Sequence, residues 1–162
     1  MKVVILAGGL GTRIADHSDL PKPMISINGN PIISHILEIF VNQGFNEFII
    51  AVGYKGNIIK KYFEKNFLQY NIQVVDTGLN TLTGNRLQKL KSFLPDENFM
   101  LTYGDGLCNV DLKKLSKFHL NHQKLVTVTA VHPPARFGEL VLKKNNVINF
   151  EEKPQLQKGW IN

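Results

Sequence analysis

Two short stretches of this 162-residue chain carry residue types suited to handling phosphate. In Ala7-Gly8-Gly9-Leu10-Gly11-Thr12-Arg13 three glycines fall within four positions, so backbone amides can approach a polyphosphate closely and adopt conformations that side chains forbid. Arg13 adds a planar, permanently charged fork for phosphate oxygens. The glycines are not spaced as in the dinucleotide fingerprint, and the loop lacks the Gly-Lys-Ser/Thr ending of a P-loop. Further on, Leu20-Pro21-Lys22-Pro23-Met24 sets a lysine between two prolines, which stiffen the backbone on either side and aim the ammonium. A solvated surface lysine gains nothing from such bracing, so Lys22 is a candidate phosphate ligand. Asp105 lies in the turn Gly104-Asp105-Gly106, directly after the apolar run Phe99 to Tyr103. One carboxylate, completed by substrate phosphates and water, is a common way to hold Mg²⁺; the plainer reading is an aspartate that stabilises a turn. These types suit attack by a phosphate monoester on a polyphosphate. The attacking group is largely dianionic at neutral pH and needs no general base, whereas in-line positioning and positive charge are indispensable.

Other chemistry-bearing residues carry less. Of the five histidines, only His119 and His122 have a metal-like spacing, and three apart on a helix they read as a solvated face. Ser18, Ser26 and Ser34 lie in no nucleophile-elbow pattern. Trp160 could stack on a sugar or base or be a partly buried aromatic, and Cys108, the single cysteine, reads as a packing residue that excludes an internal disulfide.

The elements that must position these residues follow from periodicity. Lys2 to Leu6, Glu47 to Val52, Ile72 to Val75, Phe99 to Tyr103 and Val126 to Val131 read as strands. Between them a first helix is announced by Asn30 as N-cap and Pro31 at its first position, keeps Ile32, Ile33, Ile36, Leu37 and Phe40 on one face, and is closed by Gly44. Asn57 to Asn66, Thr83 to Phe93 and Leu112 to Asn121 read as further helices. Alternation of strand and helix predicts βαβ units, a mostly parallel sheet and a three-layer α/β/α fold in one domain over 1–162. Leu140 to Lys143 and Val147 to Glu151, around a turn at Asn145 and Asn146, read as a hairpin appended to that sheet. Ligands of open α/β sheets bind at the carboxyl ends of the strands, where the glycine loop and Asp105 fall.

Composition sets outer bounds. The chain is 43% hydrophobic and 20% charged, ordinary for a globular domain, and its net charge of +6 favours anionic partners. The lysines are dispersed and not interleaved with aromatic residues, which argues against a nucleic-acid surface. There is no signal-peptide pattern after Met1 and no apolar run near the roughly 18 residues of a membrane span, so a cytoplasmic, soluble protein is expected.

Leu6 to Arg13 followed by Pro21-Lys22-Pro23-Met24 resembles the signature of the sugar nucleotidyltransferases. Gly53-Tyr54-Lys55-Gly56, Asp76-Thr77-Gly78 with Thr81 to Arg86, Thr102 to Gly106, Pro133 to Gly138 and Phe150 to Pro154 are similar, in that order, to the glucose-1-phosphate cytidylyltransferase branch. The resemblance covers nearly the whole chain. It implies the Rossmann-like nucleotide-diphospho-sugar transferase fold and transfer of a cytidylyl group from CTP to α-D-glucose 1-phosphate, giving CDP-glucose and pyrophosphate for surface polysaccharide (lipopolysaccharide) deoxysugar biosynthesis. It further implies that Leu6, Gly8, Gly9, Gly11, Thr12 and Arg13 bind the nucleotide, that Arg13 and Lys22 are catalytic, with Lys22 on the attacked phosphate, and that Thr83, Gly84 and Arg86 also contact the nucleotide. Asp105 would bind Mg²⁺; Gly138, Glu152, Lys153 and Asn162 would hold the sugar phosphate. A homo-oligomer is the common state of the family.

Two departures from the pattern stand out. A short Leu68-Gln69-Tyr70-Asn71 replaces a longer insertion of the cytidylyl branch, which weakens CTP against another nucleotide. The chain also stops where the family continues toward a second metal-binding aspartate, and so reads as truncated, able to bind CTP with Mg²⁺ but slow to turn over. The alternatives are a transferase for another pair (GTP and mannose 1-phosphate, dTTP and glucose 1-phosphate, or CTP and phosphocholine) and a nucleotide-binding domain without strong catalysis.

Overall fold

Val3–Ala7 (β1) is apolar at every position and buried at every position, the pattern of a strand covered on both faces. The computed structural model, which describes residues 1–11, 19–94, 96–133, 138–152 and 160–161, with the backbone alone at 139, places β1 inside a four-stranded sheet. Two small strands, Ser26–Ile27 (β2) and Asn30–Pro31 (β3), precede the first helix, Ile32–Val41 (α1). Glu47–Val52 (β4), Gly56–Phe63 (α2), Asn71–Asp76 (β5), Thr83–Lys89 (α3), Met100–Tyr103 (β6) and Leu112–His122 (α4) follow. The sheet order is β5-β4-β1-β6 and all three pairings are parallel.

Strand period divides the core in two. Val3, Ile5 and Ala7 join Phe48, Ile50 and Val52 under Ile33, Ile36, Leu37 and Phe40 of α1 and Ile59 and Phe63 of α2. On the opposite face Val4, Leu6, Ile49 and Ala51 pack with Leu90, which follows α3. Each fully buried aliphatic side chain contributes about 1.5–3 kcal/mol, so this sheet with helices on both faces is the rigid platform from which the loops project. Among the described residues no helix is long and apolar enough to cross a membrane.

Several boundaries differ from the expectation. The N-cap of α1 is Pro31, not Asn30, because Asn30 and Pro31 are drawn into the β2–β3 hairpin, whose loop residues Asn28 (φ 51°) and Gly29 (φ 84°) take the paired left-handed conformations of a tight two-residue turn. Gly44 does close that helix region, at φ 95°. The helix α2 stops at Phe63, and the third helix ends at Lys89, since Leu90 (φ −88°, ψ 0°) passes into a 3₁₀ turn over Lys91–Phe93. Cys108 is exposed, not a packing residue.

The chain forms two compact units, Met1–Leu115 and Ser116–Asn162. In the second, the strand expected over Val126 to Val131 is absent: Val126 and Val128 are exposed and only Val131 is bridged, to Ile161. Apolar alternation describes a propensity, and a strand also needs a neighbour to take its backbone groups. Glu139–Lys143 (β7) and Asn146–Glu151 (β8) pair antiparallel as a two-stranded sheet, with a register shift between Val141 and Leu142.

Candidate functional site

Three of the parallel strands deliver loops to the same end of the sheet: Gly8 to Gly11 after β1, Gly53 to Lys55 after β4, and Gly104 to Gly106 after β6. Gly11 has φ 64°, a left-handed position that favours glycine, and a Cβ there would stand 3.5 Å from Cβ of Lys22. Gly9 is exposed and has open space around its Cβ position. The glycine loop therefore leads directly to Lys22.

Lys22 opens a 3₁₀ turn, Lys22–Met24, entered from the extended Pro21 and anchored by buried Pro23 and Met24. A Cβ on Gly104 would lie 3.3 Å from Pro23 and 3.2 Å from Cβ of Ala7, so the glycine allows the β6 turn to close onto the Pro-Lys-Pro segment. That contact brings Lys22 Nζ to 2.5 Å from Asp105 Oδ2, with both side chains about a third exposed at 32% and 33%. An ion pair this open contributes about 0–1 kcal/mol, so its significance is positional. It joins the two strongest candidates from separate parts of the chain. The donor set fits Mg²⁺: a hard carboxylate, beside a loop for phosphates that would complete the ligand shell. No group of three His, Cys, Asp or Glu side chains suited to a metal occurs among the described residues.

Leu6 and Arg86 each have protein partners of their own. The Leu6 side chain packs in the core and its carbonyl accepts from the Gly104 N–H at 2.9 Å, so the side chain does not reach the loop cleft. Arg86 is 5% exposed. One guanidinium nitrogen donates to the Val52 carbonyl at 3.1 Å and to Thr77 Oγ1 at 2.5 Å; the other donates to the Gly8 carbonyl at 2.6 Å and, more weakly, the Leu79 carbonyl at 3.4 Å. Burial holds its pKa below the ordinary arginine value, offset in part by the charge of Asp76, and the group stays protonated. It is a brace across the ends of β1, β4 and β5. A Cβ on Gly8 would collide with this guanidinium, so Gly8 makes room for Arg86 as well as for any ligand.

Thr83 and Gly84 are exposed at the start of α3. Beside them Asn80, Thr81, Asn85, Gln88 and Lys89 line an open polar groove of about 320 Å³. Residues to which the sequence reading gave no role of their own include Thr77, fully buried, which donates to the Val52 carbonyl while accepting from Arg86. Lys55, left-handed at φ 48°, donates to the Asp19 carbonyl at 2.5 Å. The sequence does not show these contacts, since each partner lies elsewhere in the chain.

In the second unit, Gly138 and Glu152 lie together: a Cβ on Gly138 would be 2.6 Å from the Phe150 ring and 3.1 Å from Glu152 Oε2. His119 and His122 each place a ring nitrogen on Thr127 Oγ1, at 2.8 and 2.7 Å, and Trp160 stacks on His132 with ring centroids 3.7 Å apart. Thr12, Arg13, Lys153 and Asn162 lie outside the described residues.

Similar proteins are known. Glucose-1-phosphate cytidylyltransferase of Salmonella typhimurium is 40% identical over 186 residues, covering all of this chain and 72% of that protein. D-glycero-alpha-D-manno-heptose 1-phosphate guanylyltransferase of Campylobacter jejuni is 37% identical over 169 residues, covering all of this chain and 73% of that protein. Among solved structures, HddC from Yersinia pseudotuberculosis complexed with GMP-PN superposes with a TM-score of 0.75 at 29% identity, covering 99% of this chain and 73% of that one. The neighbours share the nucleotide-sugar transferase fold, with its mostly parallel sheet. With the profile for nucleotidyl transferases matching residues 2–162, this chain belongs to the nucleotidyl transferase family.

Proposed function

We propose that this nucleotidyltransferase moves a cytidylyl group from CTP to α-D-glucose 1-phosphate. A phosphate oxygen of the sugar phosphate forms a bond to the α-phosphorus, the bond from that phosphorus to the β-phosphate bridge breaks, and pyrophosphate leaves. The observation that carries this reading is the Lys22–Asp105 pair beside the glycine loop, which joins a cation and a carboxylate of the kinds that transfer from a triphosphate requires. Identity of 40% to the Salmonella cytidylyltransferase supports the base and the sugar. Gly8, Gly9, Gly11, Thr12 and Arg13 receive the phosphates; Lys22 stabilises charge on the attacked phosphate; Thr83 and Gly84 contact the nucleotide. Asp105 holds Mg²⁺, which when bound supplies further positive charge to the phosphates. Gly138, Glu152, Lys153 and Asn162 take the sugar phosphate, Glu152 its hydroxyls and Lys153 its phosphate.

A second reading is guanylyl transfer to a heptose or mannose 1-phosphate. The alignment to the Salmonella enzyme runs over 186 residues against the 162 of this chain, whereas that to the Campylobacter guanylyltransferase needs only 169. The path from α2 through Phe67 (φ 62°) to Asn71 at the start of β5 is short, without the longer insertion expected of the cytidylyl branch. Pyrophosphate release is the test, with CTP, GTP, dTTP and ATP each offered glucose, mannose and heptose 1-phosphates. Turnover highest with CTP and glucose 1-phosphate supports the first reading; preference for GTP replaces it with the second.

A further inference from the structure

We propose that Arg86 is a positioning residue that presets the phosphate-facing amide of the glycine loop, acting through the Gly8–Gly9 peptide. This deepens the proposed function and rests on its assignment of the loop to phosphates. The cause is peptide geometry. Arg86 draws the Gly8 carbonyl inward at 2.6 Å, and no peptide among the described residues is cis. In a planar trans peptide the C=O and the next N–H point in opposite directions, so the Gly9 N–H is turned away from Arg86, and Gly9 itself is exposed. Arg86 is itself held by Thr77 Oγ1 and the Val52 carbonyl, both behind the loop, and Thr77 is fully buried and out of reach of a ligand. Gly53 belongs to the same device, since a side chain there would press on the Gly8 carbonyl at 2.8 Å and on Arg86 at 2.9 Å. An amide aimed before the ligand arrives loses less freedom on binding, and a carbonyl kept inward removes a negative dipole from the phosphate's path.

The experiment uses the whole 162-residue chain with Thr77→Val, Thr77→Ser and Arg86→Lys. Thr77→Val keeps the shape but takes away the acceptor for Arg86, and Thr77→Ser restores it. Two readouts are taken: the ¹H–¹⁵N resonance of Gly9 in the ligand-free protein, and calorimetric binding of CTP and GTP with Mg²⁺. The expected result is a displaced or broadened Gly9 resonance in Thr77→Val and Arg86→Lys with a roughly tenfold or larger loss of triphosphate affinity, and near wild-type behaviour in Thr77→Ser. The double variant Thr77→Val with Arg86→Lys loses no more than Arg86→Lys alone, because both act through one brace. An unmoved Gly9 resonance in folded Thr77→Val, or additive losses in the double variant, overturns the proposal. Absence of triphosphate binding in the wild type removes the proposed function instead, while the Gly9 resonance still decides whether Arg86 sets the loop.

Discussion

Adding one methyl group at Gly53 should cost this protein more than adding it at Gly84, and in the opposite direction. A Cβ at Gly53 would stand 2.7 Å from the Gly78 carbonyl oxygen, 2.8 Å from the Gly8 carbonyl oxygen and 2.9 Å from the Arg86 guanidinium. Two of these atoms are backbone, and the Gly8 oxygen is also held by Arg86, so no flexible side chain can yield on its own. Overpacking of one methyl costs about 1–3 kcal/mol, and fixed neighbours put Gly53→Ala in the upper half of that range. At about 2–4 °C per kcal/mol for a chain of this length, the melting temperature falls by roughly 4–12 °C. Gly84 is exposed, lies inside α3, and has nothing within 4 Å of its Cβ position. There alanine removes only the conformational freedom of glycine and gains about 0.5–1 kcal/mol. Thermal and urea denaturation of both variants, with m-values compared to confirm that the same surface unfolds, measure the contrast. Equal shifts, or a Gly53→Ala variant as stable as the wild type, would refute the convergence of the three strand ends on that point.

Gly9→Ala meets no neighbour, so its stability should stay within about 0.5 kcal/mol of wild type while triphosphate binding, followed by calorimetry, weakens. Asp105→Asn keeps the side-chain shape and loses the charge, so the fold persists by circular dichroism and metal-dependent turnover disappears; an unchanged Mg²⁺ dependence removes Asp105 from the site. Lys22→Ala is expected to lower kcat more than it weakens nucleotide binding, and Lys153→Ala to raise KM for the sugar phosphate, so steady-state kinetics showing the reverse would exchange their roles. Asp111 accepts the Lys114 N–H at the start of α4 at 2.9 Å, and that bond first of all lowers its pKa. A depressed carboxylate pKa gives stability that is present above the ordinary value and lost as the pH falls through the lowered one, so Asp111→Ala should flatten acid unfolding below about pH 4.

Much of the platform was legible because β1 and β4 are apolar without alternation, as strands covered on both faces must be. Lys22 and Asp105 were each legible as types in stiff or glycine-flanked turns, yet their adjacency was not, since it depends on Pro23 docking against Gly104. The bracing contacts of Arg86 were not legible for a related reason: its Gly8, Val52 and Thr77 acceptors are assembled from three other places in the chain. Asn28-Gly29 carried a plain hairpin signal that the neighbouring Asn-Pro helix start obscured. Val126 to Val131 shows the limit of alternation, which reports a side-chain pattern and says nothing of a pairing partner.

The central place of β1 also sets an order of events during synthesis. Val3 sits opposite Phe48 on one side and Met100 on the other, so neither of its ladders is local. β4 and β5, separated by one short helix, can close their ladder over a smaller loop and therefore form first. Until β4 has left the ribosome, the five apolar residues of β1 have no ladder to join, and β6 follows later still. The nascent chain thus passes through an interval in which this apolar segment has no ladder, and elongation across residues 8–52 sets how long that interval lasts.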